Sequence, residues 1–287
     1  MVNSKVVKGL KVDLSSDSNF QCQACMAAKM SRTPFPKYGA TQVTNVGDIT
    51  HSDLWGPARV ESIGRNLYYV AFIDDYSHYV TVKFLKLKSD ATQKIKDYTE
   101  WVKTQLGCTI KAFCFDRGGE FMSKSLKGWL DGLRIEHQAS APYSPQQHGV
   151  TECPNRTLVE LMHAMLIDSK LPKFLWAEAV LHAAYVHNRA MMTALTGMTP
   201  YKAMFSKKPE ISHLCPFGST AYILDESPTQ SKLDPKAVKC IFVGYEDGPQ
   251  AIRYFNASSC QVSISQNYTF VEDIGDISEE IEMDEFV

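Results

Sequence analysis

The stretch Thr109–Phe121, TIKAFCFDRGGEF, decides how this chain is read. Its first seven residues, Thr109–Phe115, form a β-rich apolar run, and Asp116 stands at the run's carboxyl end. An aspartate after a strand is ordinarily a turn residue, so its meaning depends on its partners. Two other carboxylates qualify: Asp53 in THSDLWGP (Thr50–Pro57) and Glu152 in QQHGVTECPNRTL (Gln146–Leu158). Asp53 and Asp116 are 63 positions apart, and 35 residues separate Asp116 from Glu152. Side chains so distant in sequence converge only if a folded sheet gathers its strand ends. Three carboxylates gathered in this way could hold a pair of divalent cations, which take hard oxygen ligands.

Working outward, NLYYVAFIDD (Asn66–Asp75) and YVTVKFLKL (Tyr79–Leu87) are β-rich runs separated by a short turn, which predicts an antiparallel hairpin. Asp74 and Asp75 end the first run and read as hairpin residues, not metal ligands. Ser89 caps a helix with apolar positions Ile95, Tyr98, Val102 and Leu106, ended by Gly107. Ser123 opens a short helix that stops near Gly132, and IEHQA (Ile135–Ala139) is a short strand. A long helix is expected from Thr151–Cys153 onward, through Leu158, Leu161, Met162 and Met165, and a second from Pro172 to Arg189. After Ser212 short strands recur at regular spacing, STAYILD, VKCIFVGY, QAIRYFN and QVSIS, as in a small β-barrel or sandwich. The fold class is therefore α/β, with a β module behind it.

Composition sets bounds. Among 287 residues, 44% are hydrophobic and 11% aromatic, enough for a packed core. No run of about eighteen apolar residues occurs, so no membrane partner is expected. Eight cysteines without regular spacing read as free thiols of a reducing compartment, the cytosol or nucleus. The net charge of −2 hides an asymmetry: Val271–Val287 hold eight acids and no base, leaving 30 bases against 24 acids in the rest. The tail reads as a solvated, disordered segment, and the mildly basic body permits nucleic-acid binding without requiring it.

The phrases around the carboxylates resemble the integrase region of copia-like long-terminal-repeat retrotransposons over nearly the whole chain. THSDLWGP, DRGGEF, SPQQHGV and NRTLVE resemble the blocks of that family's core, and CQACMAAKMSRTPF (Cys22–Phe35) the Cys half of its zinc module. LPKFLWAEAV, TPYKAMFSKKPEISHLCPFGSTAYI and KLDPKAVKCIFVGY resemble the blocks that follow. The resemblance implies a truncated zinc-binding-like module over 1–45 and an RNase H-like core over 46–211, a mixed sheet flanked by helices. It further implies an SH3-like β-domain over 212–273 and an acidic tail or linker over 274–287. Asp53, Asp116 and Glu152 become catalytic residues holding two Mg²⁺ or Mn²⁺ ions for 3′-end processing and strand transfer into target DNA. Tyr143, Gln146 and Gln147 are expected against DNA, with Asn155 and Arg156 meeting phosphate or base one turn along the helix. The implied partners are double-stranded DNA, further copies of the chain and a reverse transcriptase of the same polyprotein. The implied location is the nucleus, with cytoplasmic retroelement particles.

Departures from the family pattern bear on activity. The block around the glutamate usually reads Asn-Gly-Val-Ala-Glu-Arg, then one residue and Asn-Arg. Here His148, Thr151 and Cys153 replace Asn, Ala and Arg, Pro154 follows, and Arg117 stands where Asn usually follows the second aspartate. Proline at position 154 is harmless if Thr151 is the helix N-cap, but costs about 3 kcal/mol inside a helix begun at Gln146. A start at Thr151–Cys153 is therefore expected, with Glu152 aimed less firmly than usual. Cys22 and Cys25 supply half of a tetrahedral zinc site, and no histidine precedes His51, so weak zinc binding is expected unless another polypeptide supplies the pair. His148 needs no role in two-metal chemistry, and His182 and His187 are not a zinc pair. Two alternatives stay open: a decayed, non-catalytic nucleic-acid-binding fragment, and a generic RNase H-like nuclease.

Overall fold

The computed structural model describes residues 43–115, 119, 121–139, 145–226, 235–246 and 250–271; for residue 139 and residues 145–154 only the backbone is described. The expectations for Cys22, Cys25, Asp116, Tyr143 and the acidic tail lie outside the described residues. Gln146, Gln147 and Glu152 are described only by their place in a helix.

Strand β1 (Ile49–Trp55) is followed by β2 (Tyr68–Asp74) and β3 (Val80–Leu85). Helix α1 (Ala91–Leu106), β4 (Ala112–Phe115), α2 (Lys124–Gly132) and β5 (Glu136–Ala139) come next. Helices α3 (Pro145–Asp168), α4 (Trp176–His187) and α5 (Pro200–Phe205) complete this part. The five strands form one mixed sheet in the order β3-β2-β1-β4-β5, antiparallel from β3 to β1 and parallel from β1 to β5. The predicted hairpin of β2 and β3 is present.

Strand β2 is buried along nearly its whole length, because helices cover both faces of its sheet. Tyr69, Ala71 and Ile73 face a core shared with Leu158, Met162, Trp176, Val180 and Ala183. Val70 and Phe72 face the opposite core with Ile95, Tyr98, Val102, Leu126 and Leu130. This strict alternation is the period of two that a strand imposes. Phe72 lies flat on Tyr98, centroids 4.3 Å apart and planes 6° from parallel. The hairpin turn is organised by Asp74, whose carboxylate accepts from the Ser77 N–H and hydroxyl at 2.8 and 2.6 Å and from the Gly47 N–H at 2.7 Å.

Helix boundaries follow local chemistry. The N-cap position of α1 is Asp90 rather than Ser89, at the end of a 3-10 turn over Lys88–Asp90, and the C-cap is Gly107 in the left-handed region, φ 65°. Ser123 caps α2 by accepting from the Leu126 N–H, as its position predicts. Helix α3 corrects the expectation for Pro154: it begins at Pro145, six residues before Thr151, and runs unbroken through Pro154. Pro145 suits a first helical position, where a missing N–H costs nothing. Downstream, Asn155, Leu158 and Met162 hold the helix to the sheet, and these contacts outweigh one lost hydrogen bond.

A second five-stranded sheet is formed by β6 (Thr220–Leu224), β7 (Ala237–Tyr245), β8 (Ile252–Asn256), β9 (Gln261–Ser265) and β10 (Tyr268–Phe270), in the order β10-β6-β7-β8-β9. All its pairings are antiparallel, with an irregularity in β7 between Phe242 and Gly244. The first four strands match the expected runs; β10 and α5 were not read from the sequence. Helix α4 is sandwiched between the two sheets. Ala179, Val180 and Ala183 share a core with β2 on one side and with Ile241, Val243 and Phe255 on the other. That is why its sequence is apolar all round rather than amphipathic. His182 sits in this layer against the rings of Phe217, Phe242 and Tyr245, and burial lowers its pKa to about 4.

One polar cluster and one close backbone approach tie the β module to the core. Arg253 on β8 makes a bidentate pair with Glu178 of α4, at 2.7 and 3.0 Å, and reaches Glu246 at 2.8 Å. Gly218, at φ 89°, approaches α3 so closely that an added Cβ would stand 2.5 Å from the Cβ of Ser169. Among the described residues, no helix is long and apolar enough to cross a membrane.

Candidate active site

The site is built on β1. Asp53 pairs with Ala71 of β2, and its neighbour Ser52 pairs with Phe115, the last residue of β4. The residue before the first aspartate is thus in register with the residue before the second. Asp116 itself lies outside the described residues.

Helix α3 reaches this point through Asn155. Its Nδ2 donates to Asp53 Oδ2 at 2.6 Å, and its Oδ1 accepts from the Tyr69 hydroxyl at 2.8 Å. Tyr69 is fully buried, and both burial and the nearby charge of Asp53 hold its phenol far above the ordinary tyrosine pKa. It stays protonated and serves as a donor. With Oδ1 committed to that donor, Asn155 can turn only its NH₂ toward the carboxylate. The Tyr69 ring is itself held: Trp55 stacks on it at 5.2 Å, and Phe84 and Trp176 pack around it. Position 152 stands one turn before Asn155 in the same helix.

Asn155 was expected to meet phosphate or base. It is instead buried, 8% exposed, with its amide facing inward. Arg156, its neighbour, is exposed and lies 3.7 Å from Glu160, a surface pair of little energetic weight. Among the described residues, no three metal-ligating side chains cluster.

His51 adds a feature that sequence reading missed. It is two residues before Asp53 on the same face of β1, with Nε2 3.3 Å from Asp75 Oδ1. Burial alone would push its pKa down, but Asp75 and, secondarily, Cys114 raise it to about 9. A histidine and an aspartate in THSD and FIDD look unrelated until the strands pair. Tyr69 was equally hidden, because an aromatic in NLYYVAF reads as core and nothing local gives its hydroxyl a partner. Asn155 carried a signal: three residues after Glu152, it shares that helical face.

Comparison with known proteins agrees with this architecture. The integrase core domain family matches residues 43–145, and the retroviral polymerase SH3-like domain family matches residues 219–282. The chain is 34% identical over 264 residues to the retrovirus-related Pol polyprotein from transposon TNT 1-94 of Nicotiana tabacum, covering 91% of this chain and 20% of that protein. It is 28% identical over 251 residues to the Pol polyprotein from transposon RE1 of Arabidopsis thaliana, covering 88% and 17%. The chain thus spans about a fifth or less of the length of these relatives. Among solved structures, the simian T-cell lymphotropic virus intasome in complex with PP2A regulatory subunit B56 gamma matches with a TM-score of 0.50. It is 18% identical and covers 85% of this chain and 84% of its own, which shows a shared fold. With its mixed core sheet, its antiparallel β module and these relatives, the chain belongs to the integrase region of copia-like retrotransposon Pol polyproteins.

Proposed function

We propose that this chain is a DNA integrase, a polynucleotidyl transferase that trims element 3′ ends and joins them to target DNA through Asp53, Asp116 and Glu152. The observation that carries the reading is the Asn155–Asp53 hydrogen bond, which ties the helix bearing Glu152 to the strand bearing Asp53. The register of Ser52 with Phe115 adds support, because it brings the strand that precedes Asp116 beside Asp53. The donor chemistry fits hard cations: Asp53 is an oxygen ligand whose Oδ2 accepts from the neutral Asn155 amide. When bound, two Mg²⁺ or Mn²⁺ ions held by the three carboxylates would activate the attacking oxygen and stabilise the leaving 3′ oxygen. Asn155 fixes the rotamer of Asp53, and Tyr69 fixes Asn155. Tyr143, Gln146, Gln147 and Arg156 serve as DNA contacts in this reading, and Asn155 as a positioning residue.

The working assembly is a multimer on paired double-stranded DNA ends, within the nucleus, released from a longer polyprotein that includes a reverse transcriptase. Residues 46–211 act as the core, 212–273 as the β-domain and 274–287 as a linker. In this reading Cys22 and Cys25 would supply two of a zinc ion's four ligands. The test is strand transfer with element-end duplexes, Mg²⁺ and the chain, against Glu152→Gln and Asp53→Asn. Loss of joined product in both variants supports the reading, and equal activity rejects it.

A second reading, a nucleic-acid-binding fragment without catalysis, is favoured by Cys153 beside Glu152 and by Pro154 inside α3. Retention of element-end DNA with no joined product in the unmodified chain would select it.

A further inference from the structure

Strand β3 is the outer strand of the first sheet. The carbonyls of Tyr79 and Leu85 turn inward, accepting from Asp74 N–H at 3.2 Å and Leu67 N–H at 3.1 Å. Antiparallel alternation therefore turns the main-chain groups of Val80, Val82 and Phe84 outward. At Val80 the demand is met by a side chain. Asn188 Oδ1 accepts from the Val80 N–H at 2.8 Å, and its Nδ2 donates to the Val80 carbonyl at 2.8 Å. An amide stands in for a neighbouring strand. Among the described residues, nothing bonds the outward N–H and C=O of Val82 or Phe84. These two pairs are spaced by about 6.7 Å, the rise of two strand residues.

The space beside them is open. A groove of about 590 Å³ follows Tyr79–Lys83, and a second of about 440 Å³ continues past Phe84, with Leu181 lining both. The first groove carries Lys83, Arg189, Lys207 and Lys208 against only Glu210 and Glu246. The Arg189 guanidinium lies 3.3 Å over the Tyr185 ring, and its buried Nε has no acceptor among the described residues. An unsatisfied buried donor of this kind calls for an acceptor, best a carboxylate.

We propose that the β3 edge is a docking site for an extended acidic peptide, supplied by residues 272–287 of this chain. The match is chemical. That segment holds eight acids and no base, with isoleucines and a methionine between them. A strand laid along β3 satisfies Val82 and Phe84 by main-chain bonds, while its carboxylates meet the lysines and Arg189. Nucleic acid offers phosphate to the cations but no ladder to the strand edge. The segment follows directly on Val271, just past β10, and the module carrying it also forms a wall of the groove through Tyr245 and Glu246. Sixteen residues span up to roughly 50 Å when extended. This occupancy would blunt an edge otherwise open to unwanted pairing, and it is independent of the catalytic reading.

The test is amide hydrogen exchange at Val82 and Phe84 in the full chain at low salt, followed by NMR. It compares the unmodified protein, the tail variant Glu279→Lys/Glu280→Lys/Glu282→Lys, the groove variant Lys207→Glu/Lys208→Glu, and their combination. Each single set should speed exchange at both amides by about tenfold, and the combination should restore protection, with the Phe72 amide unchanged throughout. Equal exchange in the tail variant overturns the proposal. So does protection that grows with protein concentration, which would assign the strand to a second copy. Protection that appears only on adding duplex DNA also overturns it.

Discussion

Asn155 and Asp53, 102 residues apart in sequence, are joined by a 2.6 Å hydrogen bond that ties helix α3 to the central strand of the core sheet. The bond belongs to a chain of three, since Tyr69 donates to the other end of the same amide. Replacing Asn155 by Ala leaves a buried phenol without its acceptor and takes one donor away from Asp53. The expected cost is about 1–3 kcal/mol, and about 1 kcal/mol for Tyr69→Phe. Urea unfolding of both single variants and the double should show a non-additive cycle, because the two changes dismantle one network.

Pro154 lies inside α3, where proline has no N–H to give the helix ladder. Pro154→Ala should therefore stabilise the chain, by up to about 3 kcal/mol. A rise in the denaturant midpoint at unchanged slope is the check. No gain would mean that the helix bends to accommodate the ring.

Arg253 and Glu178 form a charge pair with little water around it, side chains 21% and 7% exposed. Arg253→Met strands the Glu178 carboxylate and should cost about 3–5 kcal/mol. Adding Glu178→Met should recover much of that loss. Thermal unfolding of the two variants measures both, and the partial burial predicts weak sensitivity to salt.

His182 makes acid stability predictable in sign. Its folded-state pKa, about 4, lies below the unfolded value of 6.5 because burial disfavours the cation. Between those values the unfolded chain binds the extra proton, so stability is full above pH 6.5 and falls as pH drops toward 4. The loss approaches about 3 kcal/mol. His182→Phe, which keeps a ring among Phe217, Phe242 and Tyr245, should flatten that slope in pH-dependent urea titrations.

Gly218 offers a steric test. Gly218→Ala meets both a positive φ and the Ser169 Cβ at 2.5 Å. A cost of about 1–3 kcal/mol is expected. Pairing it with Ser169→Gly should return the clash component and leave the backbone component, which two denaturation curves separate.

These particulars show what was legible. The hairpin of β2 and β3, the stop of α1 at Gly107 and the cap of α2 at Ser123 depend on residues within a few positions of one another, so sequence carries them. The start of α3 was misread because a local rule about Pro154 was weighed against nothing. What decides it is Asn155, Leu158 and Met162 meeting a sheet formed far away in the chain. Strand β10 has three residues, too few for a pattern. Helix α5 did carry a signal, Thr199 capping Pro200 at its first turn, but it is only six residues long. At the site, Asp53 and its neighbourhood could be nominated from words and spacing. The support of Asn155 by Tyr69 and the pairing of His51 with Asp75 could not, because each partner lies in a distant segment of the chain.

The burial of α4 on both sides has a consequence for how this polypeptide can be divided. A cut near residue 212 would separate the two family segments neatly on paper, yet it would leave the flank of α4 that meets Ile241, Val243 and Phe255 wet. Protein made only to that point should clump or stay molten, and melting of the whole should be a single event. Any rearrangement that exchanges one segment between elements must carry a matching partner surface along with it.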